Sequence, residues 1–139
     1  MTYATEGDLV ERFGARELAQ RTDRVYGTAI DTVVLGRALA DADAEIDGYL
    51  ATRYSLPLAA TPAVINRLAC EIARYRLHDE GVPDTVRQRY EDAVSLLKKF
   101  SSGDVRLAGM EAMATAGEAT VYYSFEPRQV TADALRGFA

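Results

Sequence analysis

Residues 38–58 read ALADADAEIDGYLATRYSLPL, and this stretch decides the fold. Leu35, Leu39, Ala42, Ile46, Tyr49, Leu50 and Tyr54 recur three and four residues apart, the period of one buried helical stripe. Asp31 is a good N-cap because its carboxylate can accept from the first unpaired amides, so a helix is predicted from about Thr32 to Tyr54. Pro57 stops it. Arg37, Asp41, Glu45, Asp47 and Arg53 fall on the opposite face, which is expected to be solvated. Gly36 and Gly48 each cost about 1 kcal/mol relative to alanine in a helix interior, which predicts a close approach by another backbone. The segment carries no reactive group.

Working outward from this helix, more helices emerge. Thr5-Glu6-Gly7-Asp8 opens one, with Thr5 as the cap and Asp8 in the first turn, where the helix dipole favours a negative charge. Leu9, Val10 and Phe13 form its apolar face, and Gly14 ends it. Glu17–Gln20 adds a short turn with Leu18 inward, and residues 21–30 read as loop. A further helix is predicted over Ala63–Asp79, with Ile65, Leu68, Ala69, Ile72, Tyr75 and Arg76 along one side. Gly81 and Pro83 break the chain, and Asp84–Phe100 forms the next helix around Val86, Tyr90, Ala93, Val94, Leu97 and Phe100. Lys98 and Lys99 meet the negative end of its dipole, and Ser101-Ser102-Gly103 terminates it.

After Gly103 the composition changes. Asp104–Gly109 reads as a strand or extended segment, and Val121–Phe125 has the β-branched and aromatic content of a strand closed by Pro127. The expected fold is mainly α: a small bundle of about four to five helices over residues 1–102, with an extended, partly β C-terminal arm over 103–139. Aromatic at intervals yet without a core period, that arm is expected to dock on the domain or on a partner.

Composition limits the function classes. With 139 residues, one domain with one hydrophobic core is the default, and 48% apolar content is too high for a disordered chain. A net charge of −5 argues against non-specific DNA binding, which needs clustered Lys and Arg. Cys70 is the single cysteine, so no intrachain disulfide forms. No apolar run approaches the roughly 20 residues of a membrane span, and the first residues do not have the pattern of a signal peptide.

Three constellations invite chemistry. Asp41-x-Asp43-x-Glu45-x-Asp47 has the look of a calcium loop, but the sixth position needs glycine and the twelfth an acid, and here they are Ile46 and Thr52. His78 is the single histidine and lies eight residues beyond Cys70, about 12 Å along a helix, too far for a Cys–His dyad. Cys70 is therefore expected in the core and His78 exposed near a helix end. The third group is basic and aromatic: Arg53, Tyr54, Arg74, Tyr75, Arg76, Arg87, Arg89 and Tyr90. Its tyrosines are expected to pack with hydroxyls at the core edge while its arginines pair with Asp79, Asp84, Glu91 and Asp92. No phosphate-binding glycine motif is present, and neither an enzymatic activity nor a cofactor or metal is expected.

Several blocks together resemble one family. They are Tyr3-Ala4-Thr5-x-x-Asp8-Leu9 with Arg12-Phe13-Gly14, Glu17-Leu18 with Thr22-Asp23, and Ala38-Leu39-Ala40-Asp41-Ala42. Further blocks are Glu45-Ile46-Asp47-Gly48-Tyr49-Leu50, Arg53-Tyr54-x-Leu56-Pro57-Leu58, Ile72-Ala73-Arg74-Tyr75-x-Leu77 and Arg89-Tyr90-x-x-Ala93. This pattern is similar to a family of small proteins of Mu-like phages and prophages. It covers Tyr3 to about Leu107, and the tail matches more loosely through Arg128 and Leu135-Arg136-Gly137-Phe138. The family in turn resembles the helical head–tail connector, or adaptor, proteins of long-tailed phages.

That resemblance implies a structural virion protein, made in the host bacterial cytoplasm and located in the neck. It implies a homo-oligomeric ring beneath the portal protein, expected to be twelvefold. The ring's other face would receive the tail terminator or another neck protein, and genomic DNA would pass through the lumen unread. No membrane is involved. The arm would reach the portal or a neighbouring subunit, with Val121, Tyr122, Tyr123, Phe125, Arg128, Leu135 and Phe138 as the expected partner-binding residues. The competing expectation is a small helical DNA-binding or regulatory protein of a phage or prophage. Its phosphate contacts would come from Arg74, Arg76, Arg87 and Arg89 within a helix-turn-helix over Ala63–Phe100, and its affinity would fall steeply with salt.

Overall fold

The computed structural model describes residues 2–78 and 81–107. Among them the chain is mainly helical, as expected, with five helices and no strand: α1 (Glu6–Phe13), α2 (Ala15–Thr22), α3 (Thr32–Leu50), α4 (Ala63–Arg76) and α5 (Asp84–Ser102). The expected strand at Val121–Phe125 lies outside the described residues.

Local chemistry accounts for most of the helix starts. Thr5 and Asp8 form a reciprocal capping box at α1: the Thr5 hydroxyl accepts from Asp8 N and the Asp8 carboxylate from Thr5 N. Asp31 caps α3 by accepting from Val33 N and Val34 N at 3.0 and 3.2 Å. Gly14, at φ 91°, is both the end of α1 and the cap of α2, so the two helices meet without a linker. Gly103, at φ 88°, closes α5 in the left-handed conformation.

Four boundaries differ from the sequence expectation. The short turn expected at Glu17–Gln20 is part of a full helix, α2, which buries Leu18, Ala19 and Thr22. Eight residues hold too few apolar repeats for their period to show. The long helix ends at Leu50 rather than Tyr54, and a turn follows in which Arg53 N and Tyr54 N share the Leu50 carbonyl, at 3.0 and 2.8 Å. That turn carries Tyr54 into the core, where its hydroxyl accepts from Leu107 N at 3.0 Å. Helix α4 stops at Arg76, and α5 runs on to Ser102.

The core forms around α4, which packs against α1, α3 and α5. Leu9, Leu18, Leu35, Ile46, Leu50, Ile65, Leu68, Ile72 and Leu97 are fully enclosed. Leu107 joins them at 1% exposure, so residues 103–107 turn back onto the bundle without forming a strand. Thr52 and Ser101 hydroxyls meet at 2.7 Å, which brings the ends of α3 and α5 together. At the opposite end, Arg24 of the loop before α3 donates to the Leu77 carbonyl just past α4, at 2.9 Å.

The glycines of α3 do not do what the sequence suggested. A Cβ built at Gly36 or Gly48 meets nothing within 4 Å, and both residues are exposed. No other part of the described chain needs them for close packing.

Candidate functional site

The acidic run of α3 is not a uniformly solvated face. Residues two apart on a helix point about 200° apart, so alternate acids separate into two pairs spaced by four residues. Asp43 and Asp47 turn towards the N-terminal segment: Asp43 Oδ1 accepts from Tyr3 N at 3.0 Å, and Asp47 Oδ1 accepts from the Tyr3 hydroxyl. Glu45 turns the other way and accepts from Arg76 at 2.6 Å and from the Tyr90 hydroxyl at 2.8 Å. Asp41 stays exposed. The expectation of a solvated face is therefore corrected for Glu45 and Asp47, whose partners come from distant parts of the chain. Among the described residues no group of three His, Cys, Asp or Glu side chains is placed to hold a metal ion.

The basic and aromatic group is assembled as a joint between helices. Tyr75 and Tyr90 stack with ring centres 4.0 Å apart and planes 8° from parallel, tying α4 to α5. The Arg76 guanidinium lies 5.7 Å from the Tyr90 ring centre and 6.0 Å from that of Tyr75 while it pairs with Glu45. Burial, and then the Glu45 hydrogen bond, push the Tyr90 phenol up to about 12. Arg74 grips Glu17 of α2 through two parallel bonds, at 2.7 and 3.0 Å, and its guanidinium lies 4.4 Å from the Phe13 ring centre. Arg87 pairs with Asp84 within α5, as expected. Glu17 and Glu45, rather than the expected Glu91 and Asp92, hold Arg74 and Arg76. Asp79 lies outside the described residues.

Sequence reasoning missed the clasp around Tyr3. Its amide, hydroxyl and carbonyl are all taken by side chains: Asp43 and Asp47 of α3, and Asn66 of α4, which donates to the Tyr3 carbonyl at 2.9 Å. Burial, followed by the Asp47 bond, pushes the Tyr3 phenol well above its ordinary value. Asn66 also donates to Asp8 Oδ2 at 3.0 Å, the largest of the influences that hold the Asp8 carboxyl below its ordinary range. A polar residue beside Ile65 in the α4 stripe is the one sequence sign of this contact.

Cys70 is buried in the core as expected, and burial pushes its thiol up to about 11. His78, expected exposed, is instead 9% exposed, with Nδ1 3.0 Å from the Arg74 carbonyl. The cause is Leu77, which turns inward at the end of α4 and carries the next residue with it. A hollow of about 150 Å³ between α3 and the end of α4 is lined by Arg24, Arg37, Asp41 and Arg76 among others, too small to enclose a drug-sized ligand. No described helix is long and apolar enough to cross a membrane.

Among its exposed residues the described surface carries a few large apolar side chains. Val25 and Tyr26 in the loop before α3, and Val33 in its first turn, are the most exposed large apolar side chains. Sequence reasoning passed over Val25 and Tyr26 because a loop shows no period, and over Val33 because it lies off the buried stripe of α3. The expected partner-binding residues Val121, Tyr122, Tyr123, Phe125, Arg128, Leu135 and Phe138 all lie outside the described residues.

Fold and clusters together define a small all-helical domain whose carboxylates, guanidiniums and tyrosines hold its own helices in place. Residues 3–123 match the family described as Bacteriophage Mu, Gp36, and the chain belongs to that family. It is 39% identical to the Mu-like prophage FluMu protein gp36 of Haemophilus influenzae over 105 residues, 76% of this chain and 74% of that one. It is 33% identical to Gene product J of Escherichia phage Mu over 130 residues, 91% of this chain and 92% of that one. The protein is thus a phage protein of the Mu-like kind that its sequence blocks resemble.

Proposed function

We propose that this phage protein is a structural subunit of the neck, an adaptor that joins the DNA-filled head to the tail. Copies form a ring beneath the portal protein, twelvefold if it follows the portal's symmetry. The tail terminator or another neck protein binds the ring's other face, and the genome passes through the lumen unread. The subunit performs no catalysis and needs no cofactor. The observation that supports this most is how the polar clusters close on themselves. Arg74, Arg76 and Arg87 are each paired with a carboxylate of the same chain, while Val25, Tyr26 and Val33 face outward. A protein that works by packing against other proteins presents such a surface. The same pairing weakens the DNA-regulator alternative, since three of its four arginines already have partners. Deleting the gene should leave DNA-filled heads and separate tails by electron microscopy. Normal tailed particles from the deletion would refute the neck assignment.

A further inference from the structure

Three large apolar side chains around the start of α3 are left open by the described chain. Val25 and Tyr26 are each 80% exposed, and Val33 is 68% exposed. Their backbone is held firmly. Asp23 Oδ1 accepts from Val25 N and Tyr26 N at 3.3 and 3.1 Å, and Thr22 Oγ1 accepts from Asp31 N at 2.9 Å, closing the loop at its base. Asp31 in turn caps α3 through Val33 N and Val34 N. A patch already ordered in this way loses little further freedom when something docks on it. From Val33 the outward side of α3 continues through Gly36, Ala40, Ala44 and Gly48, all exposed and four residues apart, a row with neither bulk nor charge.

The occupant follows from where the rest of the chain leaves the domain. Leu107 is buried beside Tyr54, just past the C-terminal end of α3, and residues 108–139 continue from there. They contain Val121-Tyr122-Tyr123-Ser124-Phe125, an uncharged and mostly apolar run. The 19 residues of α3 span about 28 Å. The chain beyond Leu107 therefore starts from one end of the bundle, and Val25, Tyr26 and Val33 lie at the other. An exit point at one end and an open apolar surface at the other suit a head-to-tail contact between copies, the kind that closes into rings. The Val121–Phe125 run adds no charge of its own where two copies of a chain with net charge −5 meet, and the exposed Arg37 and Asp41 beside the α3 row are of opposite sign.

We propose that the Val121–Phe125 segment of one copy docks on the Val25, Tyr26 and Val33 patch of a second copy, against the small-residue side of α3. This deepens the ring reading above and rests on it for the closed ring alone; the pairwise contact can be measured with the purified chain.

Two full-length variants test it, Val25→Cys and Tyr123→Cys. Cys70 is buried and stays out of the reaction. Mixed under mild oxidation, the two should give a reducible dimer containing one chain of each, in greater yield than either variant alone. The full-length double variant Val25→Ser with Tyr26→Ser should melt like the parent, since both sites are exposed. Its self-association, measured by sedimentation, should be weaker by about tenfold or more. Absence of the mixed dimer, a link formed solely within the chain when one variant carries both Val25→Cys and Tyr123→Cys, or self-association unchanged in the serine variant would each overturn the proposal. Normal particles from the gene deletion would overturn the neck role and leave this contact standing.

Discussion

Replacing Asn66 with alanine should uncouple the N-terminal segment from α4. Two well-formed bonds are lost: Asn66 to the Tyr3 carbonyl at 2.9 Å and to Asp8 Oδ2 at 3.0 Å. A neutral hydrogen bond contributes about 1 kcal/mol net, and one to a carboxylate about 1.5–3 kcal/mol. Asp8 is half-buried, so its bond belongs near the bottom of that range. The total expected loss is about 2 kcal/mol, or a fall in melting temperature of about 8 °C at roughly 4 °C per kcal/mol for a domain of this size. Urea unfolding followed by far-UV circular dichroism measures it, with an unchanged slope showing that stability alone has altered.

The substitution also has a pH signature. Asp8 is depressed in the folded state, so its contribution is present above its unfolded value and is lost as pH falls through the lower folded value. Without Asn66, the largest cause of that depression, the variant should lose less of its own stability below about pH 4 than the parent does. Gln88→Ala is the comparison: it removes an exposed side-chain bond to Asp92 within α5 and should cost no more than about 0.5 kcal/mol. If Asn66→Ala lies within about 0.5 kcal/mol of that control, the clasp contributes nothing and the reasoning fails.

Three further expectations follow from the same contacts. Tyr90 is pushed up to about 12 in the folded protein, so above pH 10 the unfolded chain loses protons that the folded one keeps. Stability should fall between about pH 10 and 12, and Tyr90→Phe should flatten that fall in alkaline unfolding curves. Chains ending after Ser102 and after Leu107 should differ by about 2–3 kcal/mol, because the shorter one loses a buried leucine and the bond from Leu107 N to the Tyr54 hydroxyl; equal urea midpoints would contradict this. Gly48→Ala should stabilise the monomeric chain by about 0.5–1 kcal/mol, since the site is helical, exposed and open around a Cβ, and a lower melting temperature would show an unrecognised contact.

Sequence alone determined the features that depend on neighbours within about one helical turn. Thr5 with Asp8 and Asp31 with the amides after it announce helix starts, because a cap is made by side chains two or three residues away. The apolar spacing of α3, α4 and α5 announced which sides would be buried, and Cys70, a small residue too far from His78 to form a dyad, was expected in the core. Tertiary structure decided the rest. α3 ends at Leu50 rather than Tyr54, and the turn after it places Tyr54 in a core that includes Leu107, more than fifty positions later. His78 is buried because Leu77 anchors the end of α4, which no local preference specifies. Helical geometry divides the acids of α3 into two directions, but Tyr3 on one side and Arg76 with Tyr90 on the other come from elements that only folding brings near. The outward patch at Val25, Tyr26 and Val33 was hidden from sequence for the same reason. Apolar residues in a loop look alike whether they end up in the core or on the surface, and exposure is a property of the folded chain.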